Sequence, residues 1–173
     1  MAIWTSRYSN KELQNSDKYY PVGISIGKPR FSLGYTLRMQ CYSLAPKGYM
    51  LNMQLDRFKP AYYEKLESIG TGKIIEMVRK METEAAAEGK ELVLLCFEDV
   101  RIPEDWCHRT VFATWWAEHT GEQIKELYDP SEPKIKKMAT KKAIKEPVNQ
   151  ESGIKRETTN SYVQLDMFSM AGI

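Results

Sequence analysis

The sequence predicts an α/β fold, a single three-layer domain with a mostly parallel sheet, and a disordered C-terminal tail after it. Residues 92–97 form an uninterrupted apolar run, which is typical of a strand buried on both faces of a parallel sheet. Residues 71–88 place apolar side chains at helical spacing, with Thr71 as the cap and Gly89 as the stop. Strands that alternate with helices favour a parallel sheet.

The first part of the chain predicts two strands. Residues 3–8 alternate and are rich in β-forming side chains, and residues 22–26 form a second such run that Gly27 and Pro29 end. Residues 10–20 between them are short and polar, which indicates a weak helix or a loop. Residues 33–53 give no clear assignment beyond a turn at 44–48.

The second part of the chain predicts helices before and after the central strand in sequence order. Residues 56–68 start at a possible Asp56 cap and carry aromatic side chains at helical spacing. Residues 107–119 form a further amphipathic helix that Gly121 ends, and residues 124–127 suit a short edge strand. The predicted order is strand, strand, helix, helix, strand, helix, strand.

Composition indicates a soluble protein with one main domain. The chain has 173 residues, of which 42% are hydrophobic and 28% charged, as in ordinary globular proteins. It contains no run of 18 apolar residues, and its start does not resemble a signal peptide. We therefore expect a cytoplasmic protein with no membrane partner, and its three cysteines are expected to be free thiols.

Charge separates the predicted domain, residues 1–130, from the rest of the chain. Residues 1–130 hold 17 basic and 18 acidic groups, a net charge of −1, whereas residues 131–173 hold 8 and 5, a net charge of +3. Residues 131–163 contain a run of lysines and few large apolar side chains, which predicts a disordered basic linker. This linker is either a solvated tether or a weak, non-specific contact to DNA.

The linker leads to a short apolar motif, Gln164-Leu165-Asp166-Met167-Phe168. It resembles the motif by which bacterial replication and repair proteins bind the DNA polymerase sliding clamp, with Met167 in place of the usual leucine. Methionine conserves the volume of leucine. The resemblance implies that Gln164 occupies a polar subsite and that Leu165, Met167 and Phe168 fill an apolar one. The alternative is a short C-terminal element that folds back onto the domain.

Residues 1–130 carry a second resemblance, to the family called domain of unknown function 488. It rests on five segments: Thr5-Ser6-Arg7-Tyr8-Ser9, Ile24-Ser25-Ile26-Gly27-x-Pro29, Leu44-Ala45-Pro46, Leu94-Leu95-Cys96-Phe97-Glu98 and Cys107-His108-Arg109. The resemblance implies a compact α/β domain of bacterial, archaeal or phage origin. It implies no particular activity.

These positions predict a site at the carboxyl ends of the strands, where open α/β sheets bind ligands. Its candidate members are Ser6, Arg7 and Tyr8 after the first strand, Arg30 after the second, Cys96 and Glu98 after the central strand, and Cys107, His108 and Arg109 at the next helix start. Arginines that converge with helix N-terminal amides suit a phosphate or another anion. We therefore expect Arg109 to face an open cleft.

The same residues also suggest catalysis. Cys107 at a helix start beside His108 and Arg109 favours a thiolate, as a nucleophile requires. Glu98 and His108 could share general acid–base work. The alternative is structural: Cys96 is a small buried apolar residue, and His108 and Arg109 tie the helix to nearby carboxylates.

Other sites fit the sequence poorly. Cys96 and Arg101 are separated by four residues, one fewer than a phosphatase or sulfurtransferase loop needs. A zinc site from Cys96, Cys107 and His108 lacks a Cys-x-x-Cys pair and has few ligands at recognised spacing. The segment Gly70-x-Gly72-Lys73 lacks the first glycine of a phosphate loop. The expectation is no metal and no cofactor.

The leading hypothesis is a DNA-associated protein of bacterial or phage origin. Its tail would tether it to the sliding clamp, and its domain would carry an anion- or phosphate-type site that acts in replication, repair or nucleic-acid modification. Two alternatives remain open at this point. One is a cysteine-dependent cytosolic enzyme on a small phosphate-containing molecule, and the other is a non-catalytic clamp adaptor or inhibitor.

Overall fold

The structure is a computed structural model that describes residues 2–15, 17–102 and 105–133. The chain divides into two units at residue 136, and the described residues all belong to the first. Most of the predicted linker and the motif at 164–168 lie outside the described residues.

The domain is built on a five-stranded sheet in which every strand pair is parallel. The spatial order is β3-β2-β4-β1-β5. The strands are β1 (Ile3–Arg7), β2 (Tyr19–Gly23), β3 (Met39–Gln40), β4 (Glu91–Cys96) and β5 (Lys125–Glu126). The predicted α/β class with a parallel sheet is therefore confirmed.

Three helices cover one face of this sheet: α1 (Leu55–Ile69), α2 (Thr71–Ala87) and α3 (His108–Thr120). The other face is covered by a 3₁₀ helix, Lys11–Gln14, and by residues 33–37 of the β2–β3 connection. Parallel crossovers are right-handed. The connections from β1 to β2 and from β2 to β3 run towards the β3 edge of the sheet and therefore lie on one face. The connections from β3 to β4 and from β4 to β5, which contain the three helices, run towards the β5 edge and lie on the other face. The third layer is thus 3₁₀ helix and loop.

Strand β4 is the centre of the fold, as its apolar sequence predicts. Leu92, Val93, Leu94 and Leu95 are fully buried, and they alternate between the helix-covered face and the loop-covered face. Each such side chain contributes about 2 kcal/mol by leaving water. The carboxyl end of β4 therefore has a fixed position between β1 and β2.

Strand β2 lies three residues earlier than the sequence predicts. It includes Pro21, which this position in the sheet tolerates. The Pro21 carbonyl accepts from Arg38 N–H (3.0 Å), on the side where β3 pairs only with Val22 and Gly23. The missing proline N–H therefore costs no strand pairing. Gly23 is needed for close packing, since a Cβ there would come within 2.4 Å of the Tyr8 hydroxyl.

The helices agree with the predicted ranges to within one or two residues. Gly70 joins α1 directly to α2 with a φ of 107°, a conformation that favours glycine. Among the described residues, no helix combines the length and the apolar character that a membrane crossing requires.

Candidate active site

Four side chains meet beyond the carboxyl end of β4. Cys96 is the last residue of that strand, Cys107 is the N-cap of α3, and His108 is the first residue of that helix. Glu98 follows β4 by two residues. Cys96, Cys107 and His108, here called the Cys–His cluster, are 3%, 2% and 6% exposed. The structure thus brings together three of the predicted catalytic candidates and Cys96.

The Cys–His cluster is tightly spaced. Sγ of Cys96 lies 3.4 Å from Nδ1 of His108, and Sγ of Cys107 lies 3.8 Å from the same nitrogen. The Cys96 thiol donates to Oε2 of Glu98 at 3.2 Å, and the same oxygen lies 2.9 Å from Sγ of Cys107. One carboxylate oxygen and one imidazole nitrogen therefore face both sulfur atoms.

The orientation of His108 is set from the end of β2. Its Nε2–H donates to the carbonyl oxygen of Ile24 at 2.9 Å, since a carbonyl can only accept. The neutral imidazole therefore carries its proton on Nε2 and presents the Nδ1 lone pair to the two thiols. The ring also meets Tyr62 edge-on, at 5.9 Å between centroids.

The close contact of Cys96, Glu98 and Cys107 shifts the pKa of each group. Burial and the neighbouring Cys107 raise the pKa of Glu98. The pKa of Cys96 is raised by its hydrogen bond to Cys107 and by burial. Burial alone would raise the pKa of Cys107, but its hydrogen bond with Cys96 and the charge of Arg109 lower that pKa well below its usual value. Of the two thiols, Cys107 is therefore the one that ionises more readily.

A cleft of about 340 Å³ opens onto one side of this site. Glu98, Cys107 and His108 form part of its wall, and Trp106 and Phe58 stand beside them with ring centroids 4.7 Å apart. The remaining lining comes from the 3₁₀ helix Gly48–Asn52, the residues up to the start of α1, and Pro46 and Asp105. Residues of this size and character suit a small polar or aromatic ligand.

Arg109 does not line this cleft, which differs from the expectation of an open anion site. It is fully buried, and its Nε and Nη2 groups donate to the two carboxylate oxygens of Glu126 at 3.1 and 2.9 Å. Thr5 also donates its hydroxyl to Glu126, at 2.8 Å. Arg109 therefore joins α3 to β1 and β5, as the structural alternative for this residue proposes.

The other expected anion-binding residues do not gather at the cleft either. Ser6 and Tyr8 face the loop-covered side of the sheet, where Ser6 accepts from Asn10 and Tyr8 bonds to Ser25. Arg30 is exposed in the loop after β2. Side chains alternate along a strand, so Ser6 and Tyr8 cannot share the face to which Cys96 belongs.

Arg7 is neutralised by two carboxylates. It pairs with Asp99 at 3.0 Å and with Asp129 at 2.6 Å, and Arg101 pairs with the same two acids. Arg7 also donates to the Ser131 hydroxyl, so the folded domain extends slightly past the predicted boundary at residue 130. This network is structural in form, because each of its charges has a partner.

Asp99→Asn should lower the free energy of unfolding by about 2 kcal/mol at neutral pH. The hydrogen bonds from Arg101 and the charge of Arg7 lower the pKa of Asp99 to about 2. A lowered pKa stabilises the fold above the ordinary pKa of aspartate, near 4, and this contribution is lost as the pH falls towards 2. The difference between wild type and variant, measured by urea denaturation, should therefore shrink between pH 4 and pH 2. Asp17→Asn, at an exposed position, is the control and should show no such trend.

Sequence reasoning missed the wall of the cleft. Trp106 directly precedes Cys107, and Asn52 and Gln54 lie just before α1, yet none of them stands at the end of a predicted strand. An aromatic residue before a helix cap is a common packing feature. Only the three-dimensional fold shows that these residues share one cleft.

Comparison with known protein families, curated proteins and solved structures finds no match to this chain. The fold and the site define an α/β domain that carries a buried thiol–imidazole cluster at the carboxyl end of its central parallel strand. The resemblance to domain of unknown function 488 stays a prediction.

Proposed function

We propose that this chain is a DNA-associated protein whose domain binds and acts on a nucleobase in the cleft above the Cys–His cluster. The observation that carries the proposal is the lining of this cleft, which combines aromatic rings, side-chain amides and a carboxyl group beside two thiols. Attachment to the sliding clamp through residues 164–168 would deliver the domain to DNA.

The charge of the lining favours a neutral group over a phosphate. Among the described residues that line the cleft there is no lysine or arginine, whereas Glu98 and Asp105 are both present. An anion would be repelled by carboxylates and would meet no guanidinium partner. The proposal therefore replaces the phosphate expected from the sequence with the uncharged end of a nucleotide.

The shape of the lining fits a planar heterocycle. Trp106 is half-buried against Phe58, which leaves part of the indole facing the cleft. The amides of Asn52 and Gln54 can donate to and accept from the edge of a base. Base–aromatic stacking accepts any base, and a single-stranded or opened segment exposes both the face and the edge that these groups need.

The position of Glu98 supports chemistry on the bound group. Its carboxyl group lies in the wall of the cleft and contacts both thiols. A carboxyl group at hydrogen-bond distance from a bound substrate can transfer a proton to it. Enzymes that act on a base take it out of the stack and into a pocket of this kind.

The tail supplies the location of this activity. The domain itself holds no net positive charge, so it has little general attraction for DNA. A tether raises the local concentration of a weak binder near its target without any new contact in the cleft. This part of the proposal rests on the pentapeptide, which lies outside the described residues.

Titration of nucleosides and of a short single-stranded oligonucleotide into the full chain tests the cleft. We expect both to quench tryptophan fluorescence, and Trp106→Ala to weaken oligonucleotide binding by about tenfold or more, the loss expected for one stacked base. Trp106→Phe should retain most of the binding, because it keeps an aromatic face. Tyr128→Ala, which removes an exposed aromatic residue that does not line the cleft, is the matched control.

Two results would contradict the proposal. One is equal binding by wild type and a folded Trp106→Ala variant. The other is a thermal melt in which inorganic phosphate raises the melting temperature and nucleosides do not. That result would indicate an anion-binding site instead.

A further inference from the structure

We propose that Cys96, Cys107 and His108 bind a thiophilic divalent cation of the Zn²⁺ class, with the fourth coordination position directed towards Glu98 and the cleft. Two thiolates and one imidazole are the ligand types that zinc prefers in proteins. The inference goes beyond the proposed function, because it holds whatever group the cleft receives.

The spacing of the three ligand atoms fits tetrahedral coordination. The two sulfur atoms and Nδ1 all lie within 4.8 Å of one another. Zinc–sulfur bonds of about 2.3 Å and zinc–nitrogen bonds of about 2.0 Å place sulfur and nitrogen about 3.5 Å apart across a tetrahedral edge. The observed distances from Nδ1 to Cys96 and Cys107, 3.4 and 3.8 Å, lie on either side of that value.

Glu98 fits the role of a neighbour better than that of a ligand. Its Oε2 lies 3.2 and 2.9 Å from the two sulfur atoms, which are hydrogen-bond distances and shorter than a tetrahedral edge. A water molecule in the fourth position would have this carboxyl group within reach. Three protein ligands with one open position are typical of reactive zinc sites, whereas structural sites are closed by four.

His108 is oriented as metal-binding histidines are. A ligating histidine usually donates its second ring N–H to a backbone carbonyl or a carboxylate, which fixes the ring and the tautomer. Here Nε2–H donates to the Ile24 carbonyl, so Nδ1 carries a free lone pair aimed at the two sulfurs. A thiol is a weak hydrogen-bond donor, so hydrogen bonds from the two thiols alone would stabilise the buried Nδ1 only weakly.

Burial and charge also favour a cation. Two thiolates in a buried site are costly unless a positive charge balances them. A divalent cation with two thiolates and a neutral imidazole forms a set of zero net charge. Binding releases to solvent the protons that the two sulfur atoms still carry, so the change is a ligand exchange that needs no oxidant or reductant.

Titration of Co²⁺, a coloured substitute for Zn²⁺, into the full chain tests the site. The protein is first treated with a chelator and kept reduced. We expect a sulfur-to-metal charge-transfer band and visible bands of tetrahedral Co²⁺ that saturate at one ion per chain, and Zn²⁺ should displace them. Saturating Zn²⁺ should raise the melting temperature by about 10 °C.

The third cysteine supplies a matched control. Cys41 is also buried, but its Sγ contacts Met77 Sδ at 3.6 Å and belongs to neither the cluster nor the cleft. Cys96→Ser, Cys107→Ser and His108→Gln should each weaken Co²⁺ binding by more than about 100-fold, beyond the loss typical of outer-sphere variants. Cys41→Ser should bind as the wild type does.

The inference fails if reduced wild-type protein shows no charge-transfer band, a result that does not depend on any variant folding. It also fails if Cys41→Ser removes the band, or if Cys96 and Cys107 retain full reactivity towards a thiol reagent in saturating Zn²⁺. Because no nucleoside is present in these measurements, failure of the metal site is separate from failure of the proposed function.

Discussion

Replacing Gln164 and Phe168 with alanine should abolish binding of the full chain to a bacterial sliding clamp. The motif around them predicts micromolar affinity for the intact tail, about −8 kcal/mol. In the resembling motif, the glutamine and the aromatic ring occupy separate subsites, so the double variant loses both anchors at once. Binding is measured by calorimetry or on a clamp column.

Ser169→Ala combined with Met170→Ala is the control, because these residues lie just beyond the motif and should leave the affinity within about twofold. A peptide of residues 158–173 should bind as well as the full chain. Equal retention of wild type and the Gln164→Ala/Phe168→Ala variant on the clamp column would show that the motif is not a tether.

Glu126→Gln should lower the free energy of unfolding by about 3 kcal/mol. Arg109 is fully buried, and its ion pair is with Glu126, whose side chain is 32% exposed. Removing the negative charge leaves the guanidinium buried without this charged partner, which is the costly way to break such a pair. Urea denaturation at neutral pH measures the loss.

Arg109→Met supplies the comparison, because it removes the charge that is buried. Glu126 keeps its access to water and its bond from Thr5, so this variant should cost only about 1 kcal/mol. Adding Arg109→Met to Glu126→Gln should recover part of the stability. If Arg109→Met is the more destabilising of the two single changes, packing of the arginine outweighs its charge.

The sequence predicts the fold well where one signal dominates. The apolar run of β4 and the amphipathic pattern of α2 are each strong enough to fix an element and its approximate ends. The predicted position of β2 is wrong because a proline usually argues against a strand, and its tolerance here depends on the short length of the neighbouring strand β3. That length is a tertiary property.

The sequence predicts the place of the site but not its full composition. It puts both cysteines, His108 and Glu98 at the carboxyl end of β4, and the structure places them there. It also puts Arg109 beside them, but successive helical residues point about 100° apart. His108 therefore faces the cluster while Arg109 turns to β5. The sequence could not reveal how closely Cys96, Cys107 and His108 approach, since only the structure shows that their ligand-type atoms lie within 4.8 Å of one another.

The Arg7 and Arg101 network has a mechanical consequence. Strand β5 is joined to β1 through only two residue pairs, so few backbone contacts hold this edge strand. Shortly after it, Asp129 and Ser131 are held by both arginines. A pull on the chain beyond residue 133 would load these charged contacts before it reached the two-residue strand. A force on the chain would therefore have to break these hydrogen bonds and ion pairs before it could separate β5 from β1.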